Sequence, residues 1–100
     1  MQKRIVAMAT VLSLVLPSVA LAAGGEELFL QSCGSCHKKG GQAAVVNPAD
    51  KAGNVWEKYF ARGRHPVDIS LSDADLQVVV AYLTAHAADS DQPAAAVIPK

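Results

Sequence analysis

The chain has 100 residues, 51% of them hydrophobic, so it has room for one small domain and is too apolar for a long disordered tail. Nine basic and nine acidic residues give a formal net charge of +0, which excludes a polybasic nucleic-acid binder. Two cysteines cannot build a disulfide-dense scaffold, and 18% charged residues is low for a coiled coil.

In chain order, the first element is an export signal. Lys3 and Arg4 precede an apolar run from Ile5 to Leu16, and Pro17 and Ala20-Leu21-Ala22 follow. A charged start, a short apolar run and a small-x-small exit match a secretory leader, whereas a spanning helix needs roughly 20 apolar residues. Residues 1–22 are therefore expected to be cleaved, which predicts a periplasmic protein without stable membrane insertion. The remaining residues 23–100 carry a net charge of about −2. A domain this small needs a bound group, a metal or a disulfide to complete its interior.

Acidic Glu26 and Glu27 followed by apolar Leu28 and Phe29 predict a short helix from Gly25 to near Cys33. Residues 38–54, with Gly40, Gly41, Pro48 and Gly53, read as a loop. Trp56, Tyr59 and Phe60 share one helical face and predict a second helix over 55–62, with Gly63 as its stop. Ser72, with Asp73 and Asp75, caps a third helix whose stripe is Leu76, Val79, Val80 and Leu83 and whose end is expected near Ala88. Residues 89–100 show no periodicity and read as a tail on the surface or disordered. The expected domain is residues 23–88, and its fold class is all-α.

The chemistry lies in Cys33-Gly34-Ser35-Cys36-His37. Two thiols three positions apart can each add across a haem vinyl group while the adjacent imidazole reaches the iron. Other uses of the pair remain: a thioredoxin-like couple, for which no strand pattern is visible; a zinc site, for which His65 and His86 are not at paired-ligand spacing; and a plain disulfide.

With this motif, residues 25–88 resemble the class I, single-haem cytochromes c. Gly25 and Phe29 lie eight and four residues before Cys33, where that family crosses its N-terminal helix over its C-terminal one. The resemblance implies one covalent haem c on Cys33 and Cys36, with His37 as proximal iron ligand. It further implies that Tyr82, Leu76, Val79 and Leu83 meet Phe29 across the helix crossing. Pro48 stands for the loop proline whose carbonyl accepts the proximal histidine's N–H.

One departure matters. The family's usual sixth ligand is a methionine, but Met1 and Met8 both lie in the leader. His65-Pro66 occupies the matching segment, so His65 is the proposed distal ligand, with His86 a rival near the end of the third helix. Trp56 and Tyr59 are expected beside the haem, where either polar group could reach a propionate, and Arg62 and Arg64 could neutralise propionate charge. The resulting expectation is a non-enzymatic single-electron carrier, His/His-ligated and of relatively low potential, serving redox partner proteins, its oligomeric state open with a monomer favoured. The alternatives are a haem protein with an open sixth site that binds small gases, and a thiol redox or zinc-binding protein.

Overall fold

A computed structural model describes residues 16–100. Residues 1–15, which hold most of the expected leader, lie outside the described residues. The elements are α1 (Leu16–Ser32), a 3-10 turn (Pro48–Asp50), α2 (Gly53–Ala61) and α3 (Asp73–Ala85). The described residues contain no strand, and the all-α architecture expected from the sequence is the one observed.

Helix α1 starts well before Gly25. Among the described residues its apolar run is built from Ala, Leu and Val. The expected cleavage point after Ala22 thus falls inside a continuous helix.

Helices α1 and α2 both pack on α3. The α1–α3 seam is built as the sequence suggests. Phe29 and Tyr82 are both buried, with ring centroids 5.6 Å apart and planes tilted by 43°. Burying the Phe29 side chain stabilises the fold by roughly 1.5–3 kcal/mol. The close approach depends on Gly25, because a Cβ there would sit 2.8 Å from the Cβ of Tyr82. Val79 and Leu83 complete the seam, each 1% exposed.

Helix α2 has no capping side chain of its own. Its first amide, on Gly53, donates instead to the Asp89 carboxylate at 2.9 Å, a cap supplied from far along the chain. Trp56 is buried and stacks on Phe60 at 6.3 Å, with Tyr59 edge-on to Phe60 at 5.1 Å. Helix α3 begins as predicted: the Ser72 hydroxyl accepts from the Asp75 amide at 3.1 Å. It ends at Ala85 rather than near Ala88, with His86 as its C-cap.

The C-terminal segment is anchored in a way the sequence did not announce. Expected as a surface or disordered tail, it lies mostly exposed, but Ile98 is buried in the core at 3% exposure. Its partner is Asn47, fully buried. The Asn47 amide nitrogen donates to the Ile98 carbonyl at 3.0 Å, and the Asn47 carbonyl accepts from the Ile98 N–H at 2.7 Å. The Ala49 amide donates to the Ala94 carbonyl, and the Ala88 amide to the Lys51 carbonyl, each at 3.0 Å. Two stretches distant in sequence are thereby laced together, which satisfies a buried polar side chain that would otherwise be costly.

Candidate haem site

The last turn of α1 becomes the turn that carries the thiols. The Cys33 amide still donates to the Phe29 carbonyl at 2.9 Å; then the amides of Cys36 and His37 fold back onto the Cys33 carbonyl at 3.2 and 2.8 Å. Gly34 is required between them, since a Cβ there would collide with the Leu30 carbonyl. Cys33 and Cys36 are both half-buried free thiols. Burial pushes the Cys33 thiol up to about 11, which keeps it protonated near neutrality. The Cys36 sulfur lies 3.7 Å from the Gln42 side-chain oxygen.

These residues open onto a cavity of about 840 Å³ between α1, α2, α3 and the loop 62–72. This is within the size range of sites that take a cofactor-sized ligand. Phe29, Val46, Trp56, Phe60, Leu76, Val79 and Leu83 give it an apolar wall, and Cys33, Cys36, His37 and His65 supply its reactive groups. Leu76 is only half-buried although it belongs to the core stripe, so its exposed side faces the cavity.

The two histidines are oriented alike. His37 Nδ1 lies 2.6 Å from the Ala44 carbonyl and His65 Nδ1 lies 2.7 Å from the Val67 carbonyl. A carbonyl only accepts, so His37 Nδ1 donates to Ala44, whereas His65 Nδ1 faces both the carbonyl and, at 3.4 Å, the amide of Val67. Their ring centroids are 6.2 Å apart. His86 lies outside the cavity: its Nδ1 donates to the Gln92 carbonyl at 2.9 Å and its ring packs on Tyr82 at 5.0 Å.

Several sequence expectations are corrected here. The carbonyl that accepts the His37 N–H belongs to Ala44, not Pro48. Pro48 is buried, does not line the cavity, and accepts instead from the Trp56 indole at 2.8 Å. Trp56 does wall the cavity, but its N–H is therefore not free for a propionate. Tyr59 lines the cavity. Arg62 and Arg64 are exposed and neither lines it; Arg64 borders a smaller hollow of about 300 Å³ beside Tyr59 and His65. The basic side chain at the cavity wall is Lys51, whose ammonium lies 5.8 Å over the Trp56 ring.

Sequence reasoning also passed over Asn47. The run Asn47-Pro48-Ala49-Asp50 is a capping pattern, with proline at the first helical position and an acid two residues later; the Asp50 carboxylate does accept from the Asn47 amide, at 2.9 Å.

A family model described as cytochrome c oxidase, cbb3-type, subunit III matches residues 20–83. The chain belongs to this family. It is a class I c-type cytochrome, a haem-binding electron-transfer protein with one covalent haem c on its Cys33-Gly34-Ser35-Cys36-His37 motif. No curated protein and no solved structure matches the chain. The matched region of this cbb3-type domain spans most of α1, all of α2 and α3 as far as Leu83, and excludes the segment that Asn47 holds. The cavity suits the group: its walls are largely apolar, and the two thiols and the imidazoles of His37 and His65 all line it. No helix among the described residues is long and apolar enough to cross a membrane.

Proposed function

We propose that this cytochrome is a periplasmic single-electron carrier whose iron is held by His37 and His65. The observation that carries this reading is the spacing of the two rings. Two imidazoles would hold one iron between them only where their rings stand close together across one cavity. The rings of His37 and His65 are separated by 6.2 Å. The matching Nδ1 bonds to backbone carbonyls add to this, since such bonds fix ring orientation and raise ligand basicity.

The haem, when bound, supplies a one-electron iron couple. The chain supplies the rest. Cys33 and Cys36 tether the group, Trp56, Phe60, Leu76 and Leu83 keep water from it, and Lys51 offers positive charge at the wall. Two imidazoles place the potential below that of a histidine–methionine site, and both methionines lie in the proposed leader, residues 1–22. Electron transfer without substrate chemistry makes the protein a carrier rather than an enzyme, and the family's description makes an oxidase complex one class of acceptor.

A second reading, binding of a small gas at the sixth position, is favoured by the loop that carries His65. Its side-chain hydrogen bonds are local: His65 with Val67, and Asp68 with the Ser70 amide at 2.9 Å. The test is the visible spectrum of the reduced holoprotein with and without carbon monoxide. The carrier reading expects a low-spin spectrum that the gas leaves unmoved, and a His65→Ala variant that binds the gas. A parent spectrum shifted by the gas transfers the argument to the second reading, and a His65→Ala variant that stays low-spin and inert refutes His65 as ligand.

A further inference from the structure

Between Cys33 and α2 the chain has no long element to hold it. The carbonyl that orients His37, on Ala44, and the carbonyl that orients Trp56, on Pro48, both belong to this irregular stretch. The Ala43 amide ties the start of the stretch to the Cys36 carbonyl at 3.0 Å, and its other end is held from beyond α3. Asn47 is clasped by both backbone groups of Ile98, and Ala49 donates to Ala94, whose own amide donates to the His86 carbonyl at 3.0 Å. Ile98 closes the arrangement by sitting in the core at 3% exposure.

We propose that residues 86–98 are a positioning strap that, by gripping Asn47 and Ala49, holds the Ala44 carbonyl against His37 and so helps set the reduction potential. The inference rests on the reading of His37 as an axial ligand. A short bond from His37 Nδ1–H to a carbonyl makes the imidazole a stronger donor, which favours the oxidised iron and lowers the potential. The bond remains short only while the carbonyl is held in place. Asn47 lies three residues from Ala44, and its two hydrogen bonds to Ile98 add to the local Asp50 bond in restraining that end of the loop.

The test uses holoprotein variants. Asn47→Ala removes the clasp from the loop side. A chain shortened to end at Val97 removes it from the strap side and leaves Asn47 open to water. Gly25→Ala serves as a control that disturbs the α1–α3 seam instead. In Asn47→Ala, amide exchange at Ile98 should accelerate by about tenfold or more, the change expected from losing one buried hydrogen bond. The midpoint potential should rise in both strap variants and not in the control. An unchanged or lowered potential alongside faster exchange makes the strap purely structural and overturns the proposal. So does an equal rise in Gly25→Ala, or failure of both strap variants to fold. The axial-ligand signature of the parent, recorded by low-temperature electron paramagnetic resonance, separates the two readings: a parent without two imidazoles refutes the ligation, whatever the strap does.

Discussion

Gly24 and Gly25 are neighbours in one helix and share its propensity cost, but only Gly25 faces a partner. A Cβ on Gly24 meets nothing within 4 Å; a Cβ on Gly25 meets the Tyr82 Cβ at 2.8 Å, with the Tyr82 Cγ and the Val78 carbonyl at 3.4 Å. Replacing glycine by alanine inside a helix gains about 1 kcal/mol at either position. At Gly25 the seam must open by about 0.7 Å or more to restore carbon contact, which forfeits a quarter to a half of the dispersion energy of the contacts it separates. Overpacking of this kind costs about 1–3 kcal/mol. Gly24→Ala is thus expected to stabilise by up to about 1 kcal/mol, and Gly25→Ala to be neutral to destabilising by about 2 kcal/mol. The difference between the variants isolates the packing cost, because the propensity gain is common to both. Guanidinium unfolding of the holoproteins measures it; in a thermal melt each 1 kcal/mol corresponds to about 4–8 °C. Equal effects of the two substitutions would falsify the crossing of α1 and α3 at Gly25.

Three further outcomes follow from single groups. Trp56→Phe keeps the ring against Phe60 but removes the N–H that the Pro48 carbonyl accepts, and leaving that buried acceptor unpaired should cost about 1–3 kcal/mol in chemical denaturation. Burial, and after it the Glu26 carboxylate, hold the Tyr82 hydroxyl above its ordinary range, so the folded protein favours the neutral phenol. That contribution is complete below the unfolded value of about 10 and is lost as pH climbs through the raised folded value, so Tyr82→Phe should flatten the alkaline fall in stability; an unchanged alkaline limb rejects the assignment. Ser70 has a φ of 57°, in the left-handed region that disfavours a side chain, and Ser70→Gly should relieve about 1 kcal/mol; a thermal melt no higher than the parent's counts against strain in the His65 loop.

Much of this fold was legible because its signals are local. The Ser72 cap, the shared face of Trp56, Tyr59 and Phe60, and the stop at Gly63, whose φ is 62°, each depend on residues within one or two turns. The pairing of Gly25 and Phe29 with Tyr82 was legible for a different reason, since the resemblance to the class I cytochromes c implies a helix crossing at those positions. Two of the misreadings share one cause. Backbone carbonyls have no sequence signature, so Ala44 could not be told from Pro48 as the acceptor for His37, and the Trp56 indole could not be assigned to Pro48 rather than a propionate. Arg62 and Arg64 were nominated by their place beside His65, but the turn after α2 leaves both exposed while Lys51 reaches the cavity wall.

By itself, the sequence pointed to the cofactor chemistry, because two thiols three positions apart beside an imidazole suit haem attachment, and it determined the three helical segments around that turn. Only the tertiary structure decided the rest. His37 and His65 are separated by loops and a helix, and their 6.2 Å approach depends on how α2 and the 62–72 loop fold back over the cavity. Asn47 and Ile98 are 51 positions apart, and nothing in a tail of alanines and prolines announces the pairing. It forms because a buried amide side chain must find both a donor and an acceptor, and the backbone of Ile98 offers the two together where water cannot reach.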